Sequence, residues 1–419
     1  MSLDLLSVSS RVETPFIIVT IAGYTFGGFN SKSKLETTRE GTTRKIVTQY
    51  PNFMESLNIV KVNGSLNTYT LTMKYQITQS DDPNLLEKVF SKAKNDRTIK
   101  LSYGDLSLSN YIYKEEEAII TTIKSRVDVN SSNITYTLNC ISKALILDAG
   151  LIPFPKRVAK PSDIIKEILY NKEYNLIDIF YGMRDEYLVL QKNLIASDDR
   201  TVTIEAKTTS PIKYLNYLVN CMVSNADVNN KLIKSSRYTL TIYDDVTNEW
   251  EGPYFRITKV NTKVTIDNPD VYEINIGYPG QNNVTNFEIN DNETYSILYD
   301  YSKDIKQSDF IYRIDNNGKI VNEYSPTISN SSTLMKTTET DRTWWTQMTQ
   351  YPITVTVTLK GLLRPAILMT YVKLNVLFYG RSHIASGVYI ITKQTDSIDG
   401  SGYKTTLNLT RISSVEENI

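Results

Sequence analysis

Period-two alternation of apolar and polar residues is the dominant pattern along this chain. In Tyr69-Thr-Leu71-Thr-Met73-Lys-Tyr75-Gln-Ile77 every odd position is apolar and every even one polar. That arrangement puts one side of a strand on a core and the other toward water. The same rhythm recurs at Ile134 to Cys140, Tyr238 to Ile242, Tyr272 to Tyr278 and Ile353 to Leu359. Strands are therefore expected from end to end. Helical spacing is rarer. Pro83 to Lys94 carries Leu85, Leu86, Val89, Phe90 and Ala93 on one stripe, and Ser162 opens a short helix bearing Ile164, Ile165, Ile168 and Leu169. Ser210-Pro211 starts a third helix, with Ser as N-cap and Pro at the first helical position, and with Ile212, Leu215, Leu218 and Met222 inward. The last two helices flank strand-like stretches at Leu188 to Leu190 and Val202 to Ala206. The fold class expected is mainly β with an α+β insert.

An internal duplication organises the chain further. Residues 121–142, TTIKSRVDVNSSNITYTLNCIS, are similar to residues 390–411, IITKQTDSIDGSGYKTTLNLTR, at a constant offset of 269 that aligns Lys124 with Lys393 and Leu138 with Leu407. Upstream of each copy lies a strand ending near a Tyr-Gly turn, Ile99 to Gly104 or Val372 to Gly380, and before that a strictly alternating strand. The shared order of strand, strand, strand, hairpin predicts two related β-barrel domains near the two ends. Leu71, Met73, Leu138, Val355, Val357, Leu407 and Leu409 are the residues expected to face inward from their barrel strands. The expected divisions are 1–148, an N-terminal β-barrel domain; 149–235, the α+β insert; 236–345, a β-rich region with a polar linker; and 346–419, the C-terminal β-barrel domain. Asp315 to Tyr351 is rich in Asn, Ser and Thr, as a linker or long loop would be.

Composition sharpens this reading. At 419 residues the chain exceeds the ~250–300 at which one hydrophobic core stops growing, so several domains are expected. Lys plus Arg and Asp plus Glu both number 46, so no overall basic field exists to gather nucleic acid. The two cysteines, Cys140 and Cys221, are too few for a disulfide framework or a Cys-based zinc site and read as small buried hydrophobes. MSLDLLSVSS lacks a basic segment followed by an apolar one, so no signal peptide is expected. The apolar stretches Phe16 to Ala22 and Pro365 to Phe378 are too short or interrupted to span a bilayer, so no membrane anchor is expected. Tyr outnumbers Phe and Trp, 29 against 11 and 3, which suits half-buried strands and surfaces that meet other subunits.

The search for chemistry finds no catalytic, cofactor-binding or metal-binding set. His383 is the single histidine and sits in a turn-like Tyr379-Gly380-Arg-Ser-His383. Gly23-Tyr-Thr-Phe-Gly27-Gly28 lacks the spacing of a dinucleotide-binding loop, and no phosphate-binding GxxxxGK[ST] occurs. Acidic runs at Asp81-Asp82, Glu115 to Glu117, Asp198-Asp199 and Asp244-Asp245 read as solvated turns or strands, since neighbouring carboxylates point apart. Asn30 to Gln49, with five basic residues, reads as a long hairpin loop, or else as a loop docking on a neighbouring subunit or facing a channel. Trp344-Trp345 beside Arg342 is either core or a subunit-interface anchor.

The last residues carry the most specific clue. Gly402-Tyr403-Lys-Thr405-Thr-Leu407-Asn-Leu409-Thr-Arg411, preceded by Val372 to Gly380 and Ser386 to Lys393, resembles the closing domain of phage tail baseplate hub proteins. That group includes contractile-tail hubs, late-control proteins and the hub part of type VI secretion spikes, whose last hairpin follows G-x-Y-x-T-x-L-x-L-x-R. Here the first Gly is directly adjacent to the Tyr. The resemblance is at motif level over the last ~60 residues and architectural elsewhere.

The resemblance implies tube-like end domains and a trimer, each subunit offering two similar β domains, which adapts a sixfold tail tube to a threefold central spike around a DNA channel. Its implied partners are its own copies, a tail tube or tube-initiator protein, a spike or tip protein, a tape measure protein and a separate cell-wall hydrolase, with DNA only as passing cargo. No enzymatic activity and no cofactor are implied, and the location would be the virion tail baseplate, after synthesis in the host bacterial cytoplasm. Nothing after Arg411 is long enough to form a fused spike. Two other readings stay open, another oligomeric tail component and a carbohydrate-active β enzyme of the cell wall using paired carboxylates.

Overall fold

The computed structural model describes residues 15–29, 33–37, 43–47, 51–76, 84–93, 96–105, 113–128, 130, 132–148, 150–170, 201–222, 237–244, 254–260, 272–278, 284–291, 310–314, 320–324, 353–360, 368–383 and 385–414. Trp344, Trp345, Asp81, Asp82, Asp198, Asp199, Asp245 and the strand expected at Leu188 to Leu190 lie outside them. The first part of the chain forms β1 (Pro15–Ile21), β2 (Tyr24–Phe29), β3 (Ser33–Thr37), β4 (Thr43–Val47), β5 (Met54–Val62), β6 (Thr68–Gln76), α1 (Leu85–Lys92), β7 (Thr98–Asp105), β8 (Tyr113–Asp128) and β9 (Asn133–Ser142). The insert follows with β10 (Ile152–Phe154), β11 (Arg157–Ala159), α2 (Pro161–Tyr170), β12 (Val202–Ile204), β13 (Lys207–Thr209) and α3 (Pro211–Cys221). Next come β14 (Arg237–Tyr243), β15 (Tyr254–Val260), β16 (Tyr272–Ile276), β17 (Val284–Asp291), β18 (Phe310–Ile314) and β19 (Ile320–Tyr324). The end of the chain forms β20 (Ile353–Lys360), β21 (Tyr371–Phe378), β22 (Arg381–Ser382), β23 (Gly387–Asp399) and β24 (Gly402–Ser414).

The architecture is mainly β with an α+β insert, as the alternation predicts. Its two β units are not separate bodies. They share one 14-stranded sheet whose path runs β17-β20-β24-β23-β5-β6-β9-β8-β7-β1-β2, with β16, β21 and β22 branching from β23. No strand ladder closes the path into a barrel among the described residues, although Gly27 of β2 bridges Asn52 just before β5, its N–H donating to Pro51 O at 2.9 Å. The seam between the units is the antiparallel pairing of β23 with β5, from Lys393↔Val62 to Ile398↔Leu57.

Three hydrophobic clusters underlie the sheet. The first gathers β1, β2, β5 to β9 and α1, and also Ile398 and Tyr403 from the C-terminal hairpin. The second holds the insert with β14, including the stacked rings of Phe154 and Tyr214, 3.8 Å apart. The third joins β16, β17, β20, β21, β23 and β24, so the C-terminal unit draws two strands from the region before residue 346. Helix α3 has Ser210 as its cap residue and Pro211 in its first turn, as its sequence predicts, although the Ser210 hydroxyl donates to Asp148 Oδ1 at 2.5 Å instead of capping the helix. Helix α2 begins at Pro161, which puts Ser162 inside the helix and not at its cap. Among the described residues no helix is long and apolar enough to cross a membrane.

The duplication appears in the pairing registers. In each unit an alternating strand lies between an outer strand and the second arm of a long hairpin: β5-β6-β9-β8 and β17-β20-β24-β23. Leu57 pairs with Leu71 and Leu71 with Leu138; Phe287 pairs with Val357 and Val357 with Leu407. A β-bulge falls at Met54/Ser56 in β5 and at the equivalent Val284/Asn286 in β17. The offset is 269 between β9 and β24 (Asn133 to Gly402), but 271 between β8 and β23 (Asp128 to Asp399). The hairpin turn is two residues shorter in the second unit, so Lys124 is equivalent to Thr395 and not to Lys393.

Leu71, Met73, Leu138, Val355, Val357, Leu407 and Leu409 are all buried. Replacing Leu138 or Leu407 by Ala should cost ~2–5 kcal/mol of stability in urea unfolding, and replacing either by Asp should abolish the folded state. Wild-type melting of either Asp variant would show that these strand faces are wrongly assigned.

Candidate functional site

The registers place eight neighbouring strands, β17-β20-β24-β23-β5-β6-β9-β8, in one wall with two chemically distinct faces. On one face Phe287, Val357 and Leu407 form a row over one core, and Ile59, Tyr69 and Cys140 form a row over another. The opposite face is rich in Thr and Asn: Thr356 lies beside Asn408, Thr358 beside Thr406, Thr395 beside Thr406, Thr70 beside Asn139, and Lys124 beside Thr137. Thr358 and Thr406 share a 3.0 Å hydroxyl contact, and Asn139 donates to Thr122 at 2.8 Å. This face is half-buried or exposed and mostly uncharged in its middle strands. Thr on a pleated surface serves both needs, since its β-branched stem favours the strand and its hydroxyl stays wet.

Buried polar groups flank the seam of this wall on its apolar side, within the unit on either side of it. Lys61 of β5, opposite Gln394 of β23, forms an ion pair with Glu116 of β8, and both are closed to solvent. Tyr103 donates to the same Glu116 oxygen at 2.8 Å. Asp244, directly after β14 and 1% exposed, accepts from Asn67 (2.8 Å), Tyr69 (3.0 Å) and Ser142 (2.5 Å). Asp396 of β23 accepts from Gln394 (2.7 Å), Thr405 (2.6 Å) and Tyr403 (3.3 Å). Nearby, the β5–β6 turn binds both other parts of the chain: Asn63 N–H donates to Thr392 O, and Asn216 of α3 donates to Gly64 O at 2.7 Å.

Burial is the largest influence on Asp244, and with the nearby Glu116 charge it pushes the carboxyl up to about 6 against the hydrogen bonds from Ser142 and Asn67 and the Lys61 ammonium. Burial and the charges of Asp244 and Glu116 hold the Tyr69 hydroxyl well above its usual range, so it remains a donor. Burial likewise pushes the Cys140 thiol up to about 12, which leaves it an inert hydrophobe.

These carboxylates correct the expectation of solvated acidic runs at Glu115 to Glu117 and Asp244. Glu116 and Asp244 are buried because each shares a period-two face with apolar neighbours, Ala118 and Ile120 in one case and Leu240 and Ile242 in the other. Asp244 is closed to solvent and filled by three donors, so it cannot meet a polysaccharide. His383 holds its own turn, its Nδ1 accepting from Ala385 N–H at 3.1 Å while Phe378 packs edge-on. Among the described residues no group of three or more His, Cys, Asp or Glu is placed to hold a metal.

Protein-family models and curated proteins give no significant match to the chain. Among solved structures it is similar to the tail protein from Neisseria meningitidis MC58, at 9% identity over 95% of this chain and 96% of that one, with a TM-score of 0.48. It is similar also to the 43 kDa tail protein of prophage MuSo2 from Shewanella oneidensis, at 11% identity over 95% and 98%, TM-score 0.48. A third is the E. coli c3393 protein, a type VI secretion component described as structurally similar to the T4 tail proteins gp27 and gp5, at 9% identity over 94% and 77%, TM-score 0.45.

Two measurements test the buried network. Lys61→Met should destabilise the chain by roughly 3–5 kcal/mol in urea unfolding, and adding Glu116→Gln should return most of that loss. The folded-state pKa of Asp244 is raised, so its contribution is fully present below the unfolded value of 3.8 and is lost as pH rises through about 6. Between pH 5 and pH 8 the stability of wild type relative to Asp244→Asn should therefore fall by roughly 1 kcal/mol.

Proposed function

We propose that this chain is a structural hub protein of a phage tail baseplate, three copies of which form a ring that adapts a sixfold tail tube to a threefold central spike and surrounds the DNA channel. The observation that carries this reading is the eight-strand wall, built from two equivalent four-strand halves with one apolar face and one Thr- and Asn-rich face. Two equivalent halves per copy give a trimer six similar positions to offer a tube. The Thr- and Asn-rich face also carries charges of both signs, Lys74, Lys360, Lys393 and Lys404 among them, and in this reading it lines the passage.

In this reading the two tube-like domains are the units ending at 148 and starting near 346, the latter completed by β16 and β17. The insert at 149–235 braces the seam through α3 and the β5–β6 turn. The tail tube or its initiator would sit on one rim and a spike or tip protein on the other. A tape measure protein and a separate cell-wall hydrolase complete the expected neighbours, and no chemical step is assigned to the chain itself. The residues Trp344 and Trp345 are assigned to a subunit interface.

Negative-stain electron microscopy of the purified protein is the direct test. Three-lobed particles with a central hole and a mass near three times 47.8 kDa are expected. A compact monomer with a cleft would overturn the reading.

A further inference from the structure

Besides their turns, the long hairpins of the two units differ in what lies along the outer edge of the first arm. In the C-terminal unit the proximal part of β23 pairs with β21, from Leu374↔Gly387 to Tyr371↔Ile390, and its distal part pairs with β5. In the N-terminal unit the proximal part of β8 pairs with β7, from Gly104↔Tyr113 to Thr98↔Ile119. Beyond that point, Thr121 to Asp128 pair only with β9 among the described residues, and all eight are exposed. Ile123 and Val127 stand on the apolar side of this edge at 39% and 61% exposure. Beside them lies a groove of about 470 Å³, lined by Phe90, Ile120, Ile123 and Tyr136, with Glu87 and Arg97 as its charged residues. Among the described residues no strand lies along this edge, whereas the equivalent part of β23 carries β5.

The equivalent of β5 in the other unit is β17, the far end of the eight-strand wall, which pairs only with β20 among the described residues. The internal seam can be carried over position by position. Ile398↔Leu57 becomes Val127↔Phe287, Ser397↔Asn58 becomes Arg126↔Glu288, and Thr395↔Val60 becomes Lys124↔Asn290. An apolar pair thus falls on the apolar face and an oppositely charged pair on the polar face, while Gln394↔Lys61 becomes Ile123↔Asp291 at the last position of β17, a less matched pair. Strand direction agrees as well. All seven pairings of the wall are antiparallel, so rotation of a copy about an axis along the strands brings its β17 beside β8 antiparallel once more.

We infer that the distal edge of β8 in one copy pairs with β17 of a second copy in the register of the internal β23–β5 seam, setting Arg126 against Glu288. The inference rests on the ring reading above and names the contact that would close it: a head-to-tail strand junction that continues both faces of the wall and removes two open edges.

Sedimentation velocity over a concentration series tests it, on wild type, Arg126→Glu, Glu288→Arg and the double variant. Both positions are exposed, so melting temperatures should match wild type and exclude misfolding. Association of wild type is expected, with each single change weakening it by about tenfold and the double change restoring it. If wild type associates and neither single change matters, or the double variant is not restored, this junction is wrong while the ring reading stands. A wild type that remains monomeric at its highest attainable concentration overturns the ring and the junction together.

Discussion

A sheet that buries one face must still dispose of its edges, because an unpaired strand presents a row of amides and carbonyls that will pair with whatever fits. The β23–β5 seam does this for both units at once, by making the edge of each the neighbour of the other. Apolar contacts alone would tolerate a slip of two residues here, since period two would return Leu57 and Ile59 to the same face. The side chains that cross the seam would not: Ile398 and Tyr403 pack into the first cluster, with Tyr403 edge-on to Tyr103 at 6.3 Å. Lys61 and Glu116 lie together in the N-terminal unit and fix β5 against β8, since a shift there would leave one buried charge without its partner. Asp396, filled by Gln394, Thr405 and Tyr403, fixes the hairpin in the same way, and Asp244 ties in the strand that follows the insert. The network sets register and joins segments far apart in sequence, whereas the hydrophobic clusters supply most of the stability.

Much of this was legible in the sequence because period two is local. Leu71, Met73, Leu138 and Leu407 announce their faces through their own neighbours, and α3 through its Ser-Pro start. The polar network was hidden by a habit of reading acids as solvated. Yet Lys61 follows Leu57 and Ile59 in alternation, Glu116 precedes Ala118 and Ile120, and Asp244 follows Leu240 and Ile242, so each sits on a face already marked apolar. What alternation cannot give is the partner of an edge. The seam joins residues more than 330 positions apart, and β17 joins β20 across some 60 residues, with no local signal for either. The constant offset of 269 failed for a similar reason, since a hairpin turn shorter by two residues moves one arm against the other without disturbing the apolar phase.

In the proposed reading the wall serves by shape, which needs strands and stable seams. The seven buried carboxylate contacts from neutral donors around Asp244, Asp396 and Glu116 lie on its apolar face, where they flank the seam and cannot reach a substrate.

The internal seam and the junction inferred between copies would share a register but not a chemistry, and the difference has a physical cause. Within one chain β5 and β23 are tethered, so their effective concentration is high and the rim position can be the neutral pair Asn58 and Ser397. Between copies no tether exists. Encounter must be steered and wrong edges refused, and Arg126 and Glu288 at the equivalent position supply attraction for β17 and repulsion against a second β8. Inside the chain, the tether is joined by Ile398 and Tyr403, which reach across the seam into the first cluster. Between chains selectivity would come from charges on the exposed face, where two folded surfaces can meet without first burying an unpaired ion.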